Sequence, residues 1–162
     1  MDCLTLLGRN IERLMREREY RSYAQAARIS GVNLSTLKSW MCGRKYPRLK
    51  TLDAFCDGLY IRTWELFREG PEFSRADRAN HSDKTAIVNF RACLLEKKLL
   101  RTEEILAYFQ GELSLDEYRS YLRNTDGRNI PLPKLERLAA LLEVPLWKLL
   151  KEEFSNETEQ PK

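Results

Sequence analysis

AARISGVNLSTLKSWMCGRKYP, residues 26–47, holds two short helical stretches joined by a tight turn. Gly31 supplies the left-handed backbone conformation that such a turn demands, without a side-chain clash. Val32 is apolar and plugs the core beneath the turn. Asn33 is an N-cap type, its side-chain oxygen suited to the free N–H groups of the helix that follows. That helix runs through about Cys42, with Leu37, Trp40 and Met41 at helical spacing and facing inward. Leu34, Ser35, Lys38 and Ser39 are left facing outward. Gly43 ends the helix, and Arg44, Lys45, Arg48 and Lys50 form a basic loop around Pro47. Upstream, Ala26 and Ala27 are small enough for a neighbouring helix to cross closely. The helix that carries them opens at Ser22, with Gln25 three residues on in the capping-box pattern.

Outward from this stretch the helical reading continues. A first helix over about Leu4–Glu19 carries the stripe Leu4, Leu7, Ile11, Leu14 and Met15, with Arg9, Arg13 and Arg16 elsewhere on its surface. After the basic loop, a fourth helix buries Leu49, Leu52, Phe55, Cys56 and Leu59. A short fifth uses Trp64, Leu66 and Phe67 as a lid. No strand-like alternation appears in the chain, so an all-α fold is expected.

The string at 26–47 resembles the Cro and repressor-type (Xre) helix-turn-helix family, in which an Ala, a small residue before Gly, an apolar residue, an N-cap, Ser-Thr-aliphatic, a buried Trp and a Gly hold fixed spacing. The resemblance extends over about residues 4–68. It implies that the third helix enters the major groove of double-stranded DNA and touches base edges with its N-terminal residues. Carried over by position, Leu34, Ser35, Lys38 and Ser39 are the readers, in the segment that also holds Thr36. Tyr23 would contact the backbone or a flanking base. The helix starts at Ser22 and Asn33 would point unpaired N–H groups at phosphates, and Arg44, Lys45, Arg48 and Lys50 would neutralise phosphates beyond the reading helix. Leu34 stands where the family usually has a polar residue, which implies packing on a thymine methyl or weaker base discrimination.

The second half of the chain repeats the first. At an offset of 83, Leu52, Asp53, Phe55, Leu59, Ile61, Trp64, Leu66 and Phe67 meet Leu135, Glu136, Leu138, Leu142, Val144, Trp147, Leu149 and Leu150. At 81, Leu37, Ser39, Trp40 and Met41 meet Tyr118, Ser120, Tyr121 and Leu122. At 79, Asn10, Ile11, Met15, Glu17 and Arg18 meet Asn89, Phe90, Leu94, Glu96 and Lys97. Steps of two in the offset fit short insertions between helices, so the expectation is two tandem five-helix modules. The organisation that follows is a helix-turn-helix domain at 1–69, a polar linker at 70–83, the diverged module at 84–154 and a polar tail at 155–162.

The second module looks altered where the first would meet DNA. Its helix-turn-helix would be Thr102–Phe109 and Ser114–Asn124, joined by the longer turn QGELS, with Ile105 and Leu106 replacing the alanines. Bulkier residues there should push the two helices apart. Glu103, Glu104, Asp116 and Glu117 suit the helix dipole but repel phosphates, while Arg119, Arg123 and Arg128 remain on the outer side. Residues 84–154 are therefore expected to serve a homodimer or a protein partner, through Tyr108, Phe109, Tyr118, Tyr121 and nearby leucines, unless these aromatics are simply the module's own core.

Charge supports a polyanion partner in the first half. Residues 1–70 carry 13 Lys+Arg against 8 Asp+Glu, whereas residues 71–162 carry 15 against 16. Of the four cysteines, Cys3, Cys42, Cys56 and Cys93, none forms a C-x-x-C pair, and the single histidine, His81, is remote from them in sequence. No metal, cofactor or catalytic residue is expected: no nucleophile–base pair, carboxylate dyad or glycine-rich phosphate loop stands out. No apolar run approaches the roughly 20 residues of a membrane span, and no signal-peptide pattern opens the chain, so a cytoplasmic protein without membrane contact is expected. The reading is a sequence-specific DNA-binding transcriptional regulator, a repressor. The alternative is a protein-interaction adaptor or antitoxin-like mobile-element protein whose DNA binding is only autoregulatory.

Overall fold

The computed structural model describes residues 2–123 and 130–152, and every regular element within them is helical. Helices α1 (Cys3–Glu17), α2 (Tyr23–Ser30), α3 (Leu34–Met41) and α4 (Leu49–Gly58) lead to a 3₁₀ helix at Thr63–Phe67. Then come α5 (Ser82–Glu96), α6 (Thr102–Tyr108), α7 (Leu115–Leu122), α8 (Leu132–Leu141) and α9 (Leu146–Leu150). The fold class is all-α, as the periodicity predicts. The expected first helix shortens at its end because Glu19 turns left-handed, with φ of +56°, and the Tyr20 N–H returns to the Met15 carbonyl at 2.9 Å.

Leu7, Ile11 and Leu14 of α1 are fully enclosed, with Ala26, Leu37, Leu52 and Phe55 around them. Trp40 lies beneath α3, edge-on to Phe55 at 5.7 Å. The small residues allow close crossings. Ala26 and Ala27 are buried at the α2 surface. A Cβ at Gly58 would come within 2.6 Å of Ser30 Cα, so α4 touches the α2 backbone directly.

The segment read as a linker is tied down along its length. The Ala76 N–H donates to the Tyr60 carbonyl at 2.8 Å, and Arg62 Nη1 donates to the Arg78 carbonyl at 2.9 Å. Asn80 is buried; its Nδ2 donates to Asp57 Oδ1 at 2.8 Å and to the Ile61 carbonyl at 3.0 Å, while its Oδ1 accepts the Thr63 N–H. Asp53, also buried, accepts the Thr63 hydroxyl at 2.7 Å and both the N–H (2.9 Å) and the hydroxyl (2.5 Å) of Ser82. Burial pushes the Asp53 carboxyl above the usual carboxylate range, against the pull of these hydrogen bonds. His81, the residue before α5, makes no side-chain capping bond, and Asp53 fills that role from across the fold.

The two halves share specific backbone features. Asn10 Nδ2 donates to the carbonyls of Leu66 (2.8 Å) and Arg68 (2.9 Å). Asn89 Nδ2 donates to those of Leu149 (2.9 Å) and Lys151 (2.8 Å). The left-handed residues Glu19 and Lys98 stand 79 positions apart, and Tyr60 and Glu143 stand 83 apart. The helix pairs differ: α2 packs closely on α3, whereas α6 and α7 make no comparable approach. Gln110 and Gly111, both left-handed, stretch the turn between them.

Candidate nucleic-acid interface

The turn that projects α3 is built from local hydrogen bonds. Gly31 adopts φ of +79°, and its N–H closes α2 onto the Ala27 carbonyl at 2.9 Å. Val32 is buried below it. Asn33 Oδ1 then accepts both the N–H (2.9 Å) and the hydroxyl (2.8 Å) of Ser35, which fixes the start of α3. Ser22 does the same for α2, accepting the Gln25 N–H at 3.1 Å. The capping box expected there is shifted by one residue: Gln25 Oε1 reaches the N–H of Arg21, not that of Ser22.

Of the side chains read as outward, Ser35 and Lys38 are exposed. Ser39 is half-buried and its hydroxyl turns back to the Thr36 carbonyl at 2.7 Å. Thr36 is half-buried beside it. Leu34 is half-buried and packs against the core, so its side chain is shared between the interior and the outer side of α3. Tyr23 leans towards α1, its hydroxyl donating to Glu12 Oε1 at 3.4 Å. Burial and the Glu12 carboxylate raise its pKa, which keeps the phenol protonated as a donor.

The basic loop stands free. Arg44, Lys45, Arg48 and Lys50 are exposed, and neither they nor Lys38 form an ion pair among the described residues. Gly43, with φ of +72°, turns the chain into this loop. Ser35, Thr36, Ser39, Lys45, Arg48 and Thr51 share one open cleft of about 500 Å³ along the outer edge of α3. Hydroxyls and cations gathered in one cleft suit a phosphate-bearing rod. The start of α4 at the cleft has no side-chain cap, which leaves its first N–H groups for an anion.

Sequence reading missed Tyr46 and Thr51 as cleft-lining residues. Tyr46 offered a signal, an aromatic ring set among four cations; Thr51 offered none beyond following Lys50. The aromatics Phe109 and Tyr121 of the second half are buried, and Tyr108 donates its hydroxyl to the Leu141 carbonyl at 2.8 Å. Tyr118 packs against the core as well. Phe109 and Tyr121 thus belong to the core of this half, while Tyr108 and Tyr118 pack on it half-exposed. Arg128 and Asn124 lie outside the described residues. Among the described residues no three His, Cys, Asp or Glu side chains gather to hold a metal ion, and no helix is long and apolar enough to cross a membrane.

Residues 10–68 match the family model of the Cro/C1-type HTH DNA-binding domain. No curated protein and no solved structure matches the chain.

Proposed function

We propose, from the match of residues 10–68 to the Cro/C1-type HTH DNA-binding domain, that the protein is a sequence-specific transcription regulator that represses by occupying a duplex site. DNA binding is the activity of that domain class. The observation that carries the reading is the outer edge of α3, where the exposed Ser35 shares a cleft with Lys45 and Arg48, and where none of Lys38, Arg44, Lys45, Arg48 and Lys50, all exposed, forms an ion pair among the described residues. In this reading α3 enters the major groove with Leu34, Ser35, Lys38 and Ser39 towards base edges, and the helix start that Asn33 caps faces a phosphate. Ser22 and Tyr23, at the start of α2, and Thr36 flank it. Arg44, Lys45, Arg48 and Lys50 hold the phosphates, in the cytoplasm where the duplex is accessible.

The test is a fluorescence-anisotropy titration of duplex DNA over a range of salt. Log affinity should fall with log salt by a slope of about −0.9 for each phosphate engaged. The Arg44→Ala, Lys45→Ala double variant should flatten that slope by about two such units and weaken all duplexes alike. No association at low salt, or an unchanged slope in the variant, contradicts the reading.

A second reading is the adaptor or antitoxin-like protein whose DNA binding is autoregulatory. It draws on apolar exposure in the second half: Val88 is 52%, Leu95 63% and Leu100 72% exposed. A stoichiometric protein partner that is lost on Leu95→Asp would favour it over the repressor reading.

A further inference from the structure

Several contacts between the two halves of the chain come in reciprocal pairs, although the Arg62–Glu152 ion pair has no counterpart, because Pro145 stands 83 positions after Arg62. The Arg68 guanidinium lies 5.3 Å from the Trp147 ring, and the Lys151 ammonium lies 4.9 Å from the Trp64 ring. Arg68 and Lys151 are 83 positions apart, as are the two tryptophans, so each half places its cation on the other's indole. The indoles themselves meet at 5.7 Å. Asp53 accepts the Ser82 N–H at the start of α5, and Glu136, 83 positions after Asp53, accepts the Cys3 N–H at the start of α1 at 2.6 Å. Cys3 and Ser82 are 79 apart, the same separation as Asn10 and Asn89. Pro47–Lys50 and Ile130–Pro133, which follow α3 and α7, also line one cleft. These two runs are again 83 apart.

A patch that meets its own counterpart, with each contact repeated in mirrored partners, is the mark of a two-fold interface between identical subunits. Here both patches belong to one polypeptide. We propose that residues 82–150 occupy the place of a second subunit, so that the chain is a two-fold dimer in one molecule that reads DNA from one side only. Because the runs after α3 and α7 meet at the axis, the two helices leave it on the same side of the molecule. Their chemistry differs. Asp116 and Glu117 stand where α3 has Ser35 and Thr36, 81 positions earlier, and Glu103 and Glu104 open α6. Asp116 and Glu103 are exposed and make no ion pair among the described residues. A phosphate approaching this half meets carboxylates, so the chain binds one asymmetric half-site as a monomer. The inference rests on the DNA-binding reading above.

The experiment selects duplexes from a random-sequence pool with the full chain, then measures the mass of the free protein and of its complex on a recovered duplex. Expected are a free monomer of 19.1 kDa, one chain per duplex, and a single enriched block without an inverted copy about 10 base pairs away. Two chains on an inverted repeat, or a free dimer, overturn the inference while leaving DNA binding intact. A pool that shows no retention even at low salt overturns the DNA-binding reading and the inference with it. In parallel, the surface variant Glu103→Gln, Glu104→Gln, Asp116→Asn should bind the same duplex about fivefold more tightly, as like-charge repulsion is removed. Unchanged affinity would mean that α6 and α7 do not lie beside the duplex, and would overturn the one-sided arrangement.

Discussion

A methyl group added at Gly58 would fall 2.6 Å from Ser30 Cα and 2.7 Å from its carbonyl oxygen, a backbone that cannot swing aside. Gly58→Ala should therefore destabilise the protein by about 1–3 kcal/mol, read as a lower denaturant midpoint with an unchanged slope. A midpoint equal to wild type would contradict that packing. Nothing in the sequence announces this role, because a helix-terminal glycine does not reveal what it faces. Gly31 was legible for the opposite reason: its task is set by neighbours along the chain. Leu34 shows the limit of local reading, since spacing places it outside while the structure lets it lean half inward. The thiols separate at the same scale. Burial pushes the Cys56 and Cys3 thiols well above their ordinary value, whereas Cys42 is exposed at the end of α3. Alkylation of the native protein should modify Cys42 and spare Cys3 and Cys56 until the chain unfolds. Native labelling of Cys56, seen by peptide mass, would contradict the enclosed core.

Among the elements, α3 was readable because cap, turn and buried stripe all lie within about a dozen residues. The segment between the 3₁₀ helix and α5 was not. Its composition is that of a solvated linker, yet Asn80 is held by Thr63 and Asp57, and Ser82 by Asp53, through pairs separated by 17 to 29 positions. Asp53→Ala leaves the Thr63 and Ser82 donors buried without an acceptor, and α5 without its cap. A loss of at least about 2 kcal/mol is expected, measured by urea unfolding; a change below about 0.5 kcal/mol would show that α5 holds its place without Asp53. The basic loop carries a prediction of its own. Because Cys42 sits between α3 and Arg44, excess duplex should slow its alkylation several-fold. An unchanged rate would place the nucleic acid elsewhere.

Across the whole molecule, offsets of 79, 81 and 83 in the sequence raise the expectation of a repeat, but the way the halves meet was not legible there. Offsets align residues along a chain and say nothing of Trp64 lying against Trp147, or of Glu136 reaching the start of α1. Charge follows the same division, with the positive excess in residues 1–70 and a balanced to acidic remainder. That asymmetry directs a polyanion to the α3 side. The most direct test is amide chemical-shift mapping of the full-length, isotope-labelled protein titrated with a duplex recovered from the random pool. The largest shifts should fall at residues 33–39 and 44–50, with α5 and α9 unmoved. Shifts confined to residues 82–152, with α3 silent, would contradict this.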